Sequence, residues 1–371
     1  MADEFDWLDH THPGFLHAYL VSPTNPDHVY DELLGVDWAG SSISCGYYTN
    51  TRTSGSLTFI GEGWQPRGAF VRIVYEIPEI GYEQELGTYA VVNDPATRSD
   101  GQWENTLELQ SMLYTMSLDI ATSPTQIAKH TSIKTAMKYE LEKAGRAFIF
   151  KDPNLIRFSA ARIMETGKSR LSRMFEYCSM SNNRLDVDGH GRVTVEPYIK
   201  PKYRPVKFVI DLEDPRGNTF DEVTRRTNWL EMPTTAAVSY SYSDQVNGET
   251  VNKEINAAVE VSATNHAGRT IRGYNIVDFR TINELSPATN QAAQQMAKQI
   301  LEDNSFEKIE WELKTKYLPI WEGDVIQLKV PDGEPTYTGT RKCLVKNIDI
   351  EFPTMNMTLT LKETNGLDEE D

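Results

Sequence analysis

The 371-residue chain has few cysteines and no long apolar segment. Its three cysteines, Cys45, Cys178 and Cys343, are far apart and form no Cys-x-x-Cys pair, which predicts buried free thiols and indicates neither a disulfide framework nor a zinc site. No apolar run approaches the ~20 residues of a membrane helix, so we expect no membrane insertion by this chain. Residues 1–9 are acidic where a signal peptide is basic, which predicts synthesis and retention in a cytoplasm.

Basic residues are also scarce. The chain has 37 Lys and Arg against 54 Asp and Glu, a formal net charge of −17. Such a surface repels the phosphates of nucleic acids and argues against ordinary DNA binding. An acidic surface suits a conduit through which DNA slides without being gripped, although it equally serves solubility alone. With 39% hydrophobic and 25% charged residues, the chain is expected to be globular, with two to four domains.

Motifs for catalysis or cofactor binding are missing. The sequence contains no Gly-x-Ser-x-Gly, no His-Glu-x-x-His and no phosphate-binding loop. Gly61 and Gly63 stand in a β-turn context without a following helix, which does not match a dinucleotide fingerprint. The sequence therefore predicts no catalytic residue and no cofactor-binding residue.

Two weak metal signals have simpler explanations. His10 and His12, with His17 downstream, have no partner pair at the usual ligand spacing, so a polar N-terminal arm is favoured over a metal site. Residues 186–189, Asp-Val-Asp-Gly, echo the start of a calcium loop, but the glycine comes too early and strand-like alternation follows. A hairpin turn is favoured there, and neither a metal ligand nor any other cofactor is predicted.

The first part of the chain is predicted to be β. Short segments with strand-like composition or alternation, separated by turn residues, occur at residues 55–61, 69–77 and 87–95, and residues 104–120 are predicted to form one long strand or two. Several strands at this spacing are typical of an antiparallel barrel or sandwich.

A change of composition follows. Ser123 is a possible helix cap with Pro124 in the first helical position, and Gly145 can end that helix in a left-handed conformation. A second helix is predicted at about residues 166–180, and two alternating runs around a glycine-containing turn predict a hairpin at residues 183–197. These elements predict a small α/β lobe.

The last part of the chain combines strands with one helix. Strands are predicted at residues 207–212, 232–242 and 254–261, and Ser286-Pro287 predicts a helix that ends at Asn304. The predicted apolar stripe of this helix is Ala292, Met296 and Ile300. Four closing strands follow, and the first of them alternates perfectly. One face carries Ile309, Trp311, Leu313 and Tyr317; the other carries Glu310, Glu312, Lys314 and Lys316.

The predicted domain organisation contains one large-scale repeat: a β-rich block, an inserted mixed segment and a second β-rich block. The predicted parts are a first β-barrel domain at residues 1–121, an α/β lateral lobe at 122–203, a second β-barrel domain at 204–240 and 300–366, an inserted β/α domain at 241–299, and an acidic tail at 367–371.

This order resembles the hub proteins of bacteriophage tail tips and baseplates, the family of the contractile-phage baseplate hub and the siphophage tail-associated hub domain. The resemblance rests on pattern and order over nearly the whole chain, and it has no invariant signature. It is carried by the strand at 87–96 leading to a capped helix that ends at Gly145, by the hairpin at 185–197, and by residues 292–301, 310–313, 319–326 and 357–361.

The resemblance implies a mainly β fold with α+β lobes, in which two tail-tube-like antiparallel β-barrels carry inserted lateral domains. It also implies a homotrimer whose six barrels match a sixfold tail tube to a threefold tip. The implied partners are the tail tube or distal tail protein, the tape-measure protein, and a tip, spike or fibre protein. DNA would pass without specific binding, and the location would be the virion, after assembly in the host cytoplasm. The chain stops soon after the second predicted barrel, so no enzymatic extension is expected.

Two alternatives to this structural role stay open on sequence alone. A glycan- or receptor-binding β-rich spike or tip component would use exposed tryptophans. A β-rich hydrolase would need a pair of carboxylates flanking a cleft, which spacing in sequence does not reveal. The tryptophans are Trp7, Trp38, Trp64, Trp103, Trp229, Trp311 and Trp321, of which Trp311 is expected in a core or an interface because it alternates with other apolar residues.

Overall fold

The structure is a computed structural model. It describes residue 7 and residues 14–60, 69–99, 101–151, 156–158, 161–214, 219–228, 233–246, 249–260, 276–282, 288–304, 308–331 and 339–364. Strands predominate over helices, so the predicted mainly β class is confirmed. Among the described residues the sheets are largely antiparallel, and none of them closes into a barrel through its hydrogen bonds. No described helix is long and apolar enough to cross a membrane.

The elements follow one another in three stretches. The first comprises β1 Phe15–Val21, β2 Val29–Glu32, β3 Val36–Gly46, β4 Thr53–Ile60, β5 Phe70–Ile77, β6 Tyr82–Asn93, β7 Ala96–Ser99 and β8 Gln102–Ser111. The second comprises α1 Met112–Leu118, β9 Thr125–Ile127, α2 Ile133–Lys143, β10 Phe148–Phe150, β11 Arg162–Met164, α3 Arg170–Ser181, β12 Asn183–Val187 and β13 Val193–Pro197. The third comprises β14 Val206–Asp211, β15 Thr219–Asn228, β16 Thr235–Val246, β17 Glu249–Glu260, β18 Val277–Thr281, α4 Asn290–Asn304, β19 Lys308–Thr315, β20 Val325–Val330, β21 Gly339–Glu351 and β22 Asn356–Glu363.

The chain divides into two compact units, Met1–Thr224 with Glu312–Leu361, and Arg225–Trp311 with Lys362–Asp371. Fourteen of the described strands form one main sheet. Its order is β15-β19-β22-β21-β3-β4-β8-β6-β5-β1-β2, with β20 paired to β21, β14 paired to β20, and β7 paired to β8. Strands β15 and β19 run across the division between the two units.

The main sheet contains the same strand order twice. The order β3-β4-β8-β6-β5 in the first block is matched by β15-β19-β22-β21-β20 in the second, and the corresponding strands also follow one another identically along the chain. The next position differs, because β1 lies antiparallel to β5 whereas β14 lies parallel to β20. The large-scale repeat predicted from the sequence is therefore present in the strand order, while the predicted domain boundaries stay a prediction.

The segment between the two blocks has a core of its own. Helices α2 and α3 pack together over the three-stranded sheet β10-β13-β12, and their apolar faces bury Ile133, Met137, Leu141, Met174 and Tyr177. Burying each side chain of this size contributes ~1.5–3 kcal/mol. The predicted hairpin is confirmed, since β12 and β13 pair antiparallel around the turn. The left-handed Gly145, at φ 64°, ends α2 as predicted.

Two predictions in this region are wrong. Ser123-Pro124 does not begin a helix, because Thr125–Ile127 pairs with β11 instead, and α2 begins after Ser132. The strand or pair of strands predicted at 104–120 is one strand that stops at Ser111, whose hydroxyl accepts a hydrogen bond from the Leu113 amide at the start of α1. A tertiary strand pairing overrides the local cap signal in the first case, and a helix cap ends the strand in the second.

The second unit contains the sheet β17-β16-β18 and helix α4, which packs on β16 and β17. Helix α4 ends at Asn304 as predicted, whereas Ser286-Pro287 lies outside the described residues. The predicted apolar stripe is displaced by one residue: Ala293, Ala297 and Leu301 are buried, and Ala292, Met296 and Ile300 are half-buried. Helical side chains lean toward the N-terminus, so the residue that covers a given spot lies about one position later in the chain.

The alternation of the closing strands is confirmed. Ile309, Trp311 and Leu313 on β19 are buried, as is Tyr317 just beyond it. The intervening Lys314 and Lys316 are exposed, and Glu310 and Glu312 are half-exposed. The indole of Trp311 donates a hydrogen bond of 2.8 Å to Glu363 Oε1 on β22, which satisfies the one polar group that this ring buries.

Candidate functional site

The two blocks of the main sheet are joined by one strand pairing. The end of β21, Asn347 to Glu351, lies antiparallel to the end of β3, Gly46 to Ser42. Ile43 on β3 and Ile348 and Ile350 on β21 are buried at this joint. Because backbone hydrogen bonds run through it, strands of both blocks belong to one continuous sheet.

Three arginines surround Tyr47, the residue that follows β3. The guanidinium carbon of Arg184 lies 4.2 Å from the Tyr47 ring centroid, and those of Arg52 and Arg204 lie 5.6 and 5.5 Å away. Arg204 also donates to the Tyr47 hydroxyl at 2.9 Å and to the Gly323 carbonyl at 2.6 Å. The cluster thereby ties the first block, strand β12 and the connection before β14 to the turn that precedes β20.

A buried carboxylate completes this arginine cluster. Glu322 is 5% exposed, and burial, followed by the nearby Asp186 charge, raises the pKa of its carboxyl well above the ordinary value. Arg184 and Arg52 act in the opposite direction on that pKa. The next residue, Gly323, has φ 87°, and a Cβ there would lie 2.4 Å from Arg184 Nη1, so only glycine fits. This arrangement binds elements together; it presents no nucleophile with a base.

An aromatic cluster forms a second link between the blocks. The hydroxyls of Tyr82 on β6 and Tyr317 after β19 lie 3.0 Å apart, and the Tyr75 ring lies 4.8 Å from that of Tyr317. Trp7 contacts Tyr82 edge-on at 4.7 Å between ring centroids. Burial raises the pKa of Tyr82 to about 12 and raises that of Tyr317 as well. These phenols are therefore neutral packing groups at physiological pH.

Four strands of the main sheet are edges within the described part of the chain: β2, β7, β14 and β15. Each has one hydrogen-bonded neighbour and leaves a row of backbone N–H and C=O groups without a sheet partner. The edges differ in character. Strand β2 is fully exposed and carries Val29 and Tyr30 beside Asp31 and Glu32, whereas β14 exposes Val206 and Val209 beside Lys207.

Strands β7 and β15 are polar edges. On β7, Ala96, Thr97 and Arg98 are exposed, and on β15 Thr224 and Arg225 are exposed. Unpaired edges invite pairing with another chain, and natural proteins either protect them or use them for assembly.

The residues considered as metal ligands are placed as follows. His17 lies on β1, with its ring nitrogens 2.9 Å from Glu32 and 3.6 Å from Glu76. His10 and His12 lie outside the described residues. No group of three or more His, Cys, Asp or Glu side chains suited to a metal occurs among the residues that the structure describes.

The calcium-loop echo is a hairpin turn. The Gly191 amide donates to the Asp188 carbonyl at 2.8 Å, and the Asp188 carboxylate accepts from Arg192 Nε at 2.7 Å. The turn interpretation is therefore confirmed, because these contacts close the turn between the paired strands β12 and β13.

The cysteines and tryptophans mostly serve packing. Cys45, Cys178 and Cys343 are buried and free, as predicted, and burial raises the pKa of the Cys178 thiol to about 12. Trp311 is buried as predicted, Trp7 is also buried, and Trp103 on β8 is 39% exposed. Trp64 and Trp229 lie outside the described residues.

The arginine cluster could not be predicted from the sequence. Arg52 precedes both Arg184 and Arg204 by more than 100 residues, and the three stand in no motif, so only the folded chain brings them to Tyr47. The edge strands were also missed, because alternation predicts that a strand exists but does not say which neighbours it has.

Comparison with known proteins gives a result in structure but not in sequence. No family model and no curated protein matches the sequence. Among solved structures, the tail protein from Neisseria meningitidis superposes with a TM-score of 0.65 at 10% identity, covering 95% of this chain and 97% of its own. The 43 kDa tail protein of prophage MuSo2 from Shewanella oneidensis gives 0.63 at 10% identity, with 94% and 98% covered.

A third tail protein, from a Listeria monocytogenes prophage, superposes with a TM-score of 0.58 at 9% identity, with 95% of both chains covered. A chain of the Francisella PdpA–VgrG complex gives 0.55 at 9% identity, covering 96% of this chain and 59% of its own. At these identities the similarity establishes fold. Along nearly its whole length, this chain has the fold of these phage tail proteins.

Proposed function

We propose that this chain is a structural subunit of a phage tail, a hub protein that forms a homotrimeric ring at the distal end of the tail. The ring adapts a sixfold tail tube to a threefold tip and forms part of the conduit for DNA. The observation that carries the proposal is the match to tail proteins over 94–95% of this chain and 95–98% of theirs.

The repeated strand order supports the change of symmetry. Each chain contributes two blocks with the same order of five strands, joined through β21 and β3. Three chains therefore contribute six similar blocks, the number needed to face a sixfold tube, while the ring itself has threefold symmetry.

The distribution of charge supports a conduit. Residues 122–203 contain 15 Lys and Arg and 8 Asp and Glu, a formal charge of +7, so the rest of the chain carries −24 of the total of −17. Acidic charge is thus concentrated outside the lateral segment, largely in the two blocks. A lumen lined by acidic side chains lets DNA pass because it does not bind phosphates. We propose that the acids facing the lumen come from these blocks.

The proposed partners follow from a position in the tail. One face of the ring would bind the tail tube or distal tail protein, the opposite face a tip, spike or fibre protein, and the lumen the tape-measure protein. The protein would act in the virion after assembly in the host cytoplasm, without enzymatic activity. Its buried phenols, thiols and paired carboxylates serve packing in this proposal.

Two measurements test the proposed function. Light scattering on the purified chain should give a particle of three times the 42.1 kDa chain mass, and electron microscopy should show rings with a central hole. Gel-shift titration should show no retention of duplex DNA at physiological salt. A protein that stays monomeric at every concentration, or that binds DNA tightly, would contradict the proposal.

A further inference from the structure

The proposed ring needs a joint between copies, and the chain already contains one such joint within itself. This inference rests on the proposed homotrimer. In the internal joint, the end of β21 in the second block pairs with the end of β3 in the first block, from Asn347 opposite Gly46 to Glu351 opposite Ser42.

The repeated strand order identifies the counterparts of these two strands. Strand β3 corresponds to β15, because each is the first of the five repeated strands in its block. Strand β21 corresponds to β6 together with β7. Both β6 and β7 pair with β8, as one long arm interrupted at residues 94 and 95, and β8 corresponds to β22. The end of β21 therefore corresponds to β7, and the end of β3 corresponds to the last residues of β15.

Both counterparts are edges of the main sheet. Within the described residues β7 pairs with β8 alone, and β15 is the final strand of the sheet order. On one side, β7 pairs with β8 and β15 pairs with β19, as the repeat predicts. On the other side, the described part of the chain places no strand beside either of them, whereas their counterparts β21 and β3 pair with each other. The first block is thus short of one strand at β7, and the second block is short of one at β15.

From this correspondence we infer that β7 of one copy pairs antiparallel with the C-terminal half of β15 in the next copy. The partner is a second copy of this chain, and the surfaces are Ala96–Ser99 and residues 224–228. The two surfaces are different, so the contact is heterologous, and repeating it three times closes a ring. The same pairing gives each of these edges a strand on the side where the described part of the chain places none.

The inference also explains why these edges are polar. The single chain exposes polar side chains on both strands: Thr97 and Arg98 on β7, and Thr224 and Arg225 on β15. Apolar side chains at these positions would promote non-specific association. Pairing through backbone groups needs no apolar side chain. A ring closed in this way can form from subunits that remain soluble before assembly.

Disulfide trapping tests the joint. Counted from the strand ends, Asp349 matches Thr97, and its partner Ser44 matches Arg226. Directly paired residues in antiparallel strands lie ~4.5–5.5 Å apart at Cα, within the range that a disulfide spans. The double variant Thr97→Cys with Arg226→Cys, oxidised mildly, should convert most of the chain into a covalent trimer on non-reducing gels.

The controls separate this joint from random crosslinking. A mixture of the two single variants should give dimers and no covalent trimer, because each copy then lacks one of the two cysteines. A variant with Tyr30→Cys on β2 and Arg226→Cys should also give no trimer, since β2 is an exposed edge outside the joint. The native cysteines are buried, so they stay out of the reaction. Thr224→Cys in place of Arg226→Cys tests a shift of register by two residues.

The outcomes distinguish the joint from the ring. A covalent trimer in the double variant, with none in the controls, supports the inference. If the protein is a non-covalent trimer but a cysteine at position 97 forms a disulfide with neither position 224 nor position 226, this joint is wrong and the proposed trimer still stands. A chain that is monomeric at every concentration overturns both.

Discussion

The buried ion pairs around Glu140 allow a sharp prediction. Glu140 on α2 and Arg173 on α3 are both fully buried, and Arg173 Nη1 donates to Glu140 Oε1 at 2.9 Å. Arg170 Nη1 donates to the other carboxylate oxygen at 2.6 Å and keeps a second partner in Asp119. The change Glu140→Gln removes the only carboxylate that the structure places on Arg173 and leaves that guanidinium charge buried.

The expected loss follows from burial. Removing one partner of a buried ion pair costs about 3–5 kcal/mol, because the remaining charge is neither solvated nor neutralised. A matched control lies on the same helix: Glu142 pairs with Lys138 at 3.6 Å, and both side chains are more than half exposed. The change Glu142→Gln should cost ~0.5 kcal/mol or less.

Urea unfolding combined with hydrogen exchange provides the assay. The chain has more than one compact unit, so a single global transition is not assured, and exchange of the α2 and α3 amides reports the lobe directly. Glu140→Gln should accelerate exchange in these two helices far more than Glu142→Gln does. Equal effects of the two changes, or a cost of Glu140→Gln below ~1 kcal/mol, would refute the reasoning from burial. Replacing the pair together, with Glu140→Leu and Arg173→Met, should recover part of the loss.

Three further predictions concern buried titratable groups. Tyr82→Phe should cost ~0.5–1.5 kcal/mol, because it removes the 3.0 Å hydrogen bond to the buried Tyr317 hydroxyl. It should also reduce the loss of wild-type stability between pH 10, the ordinary tyrosine pKa, and about 12, the raised pKa of Tyr82. For Glu322→Gln, the free energy of unfolding should rise relative to that of the wild type as pH increases above 4.5. The raised pKa of Glu322 stabilises the wild type below the ordinary glutamate pKa, and this stabilisation is lost as pH rises, whereas glutamine does not titrate. Cys45 and Cys178 should react with a thiol reagent only after unfolding, because burial raises both thiol pKa values.

Each of these three has an outcome that would contradict it. Chemical unfolding as a function of pH measures the first two, and a Tyr82→Phe profile parallel to wild type across the alkaline range would contradict the assignment of that loss to Tyr82. A Glu322→Gln difference that is flat with pH would mean that the arginines hold the carboxylate ionised. Rapid labelling of the native thiols would contradict their burial.

Local sequence patterns predicted correctly those helices and strands whose local preference agrees with the tertiary contacts around them. The alternation around Trp311 gave β19 with the correct faces, and Gly145 marked the end of α2. Ser123-Pro124 had an equally good local signal and failed, because Thr125–Ile127 is more stable paired with β11, a segment over thirty residues away. Strand partners, and therefore the edges, depend on such distant pairings, which is why the candidate site could not be predicted from the sequence.

The resemblance to tail hubs anticipated the fold, although no sequence comparison supports it. The two blocks share a strand order, yet their sequences retain too little in common for the repeat to be visible as more than an alternation of β-rich and mixed segments. Strand order persists because it is set by which faces are apolar and how the chain turns, and many sequences meet those conditions.

The reversed direction of β14 has a consequence for partner recognition. Where β1 runs antiparallel to β5, β14 runs parallel to β20, so the two otherwise similar blocks present different outer strands. In a ring of three chains, a neighbouring protein would meet these two outer strands in alternation. In the proposed ring, a partner that contacts only the strands common to both blocks would meet six similar surfaces, and a partner that contacts β1 or β14 would meet three of each kind.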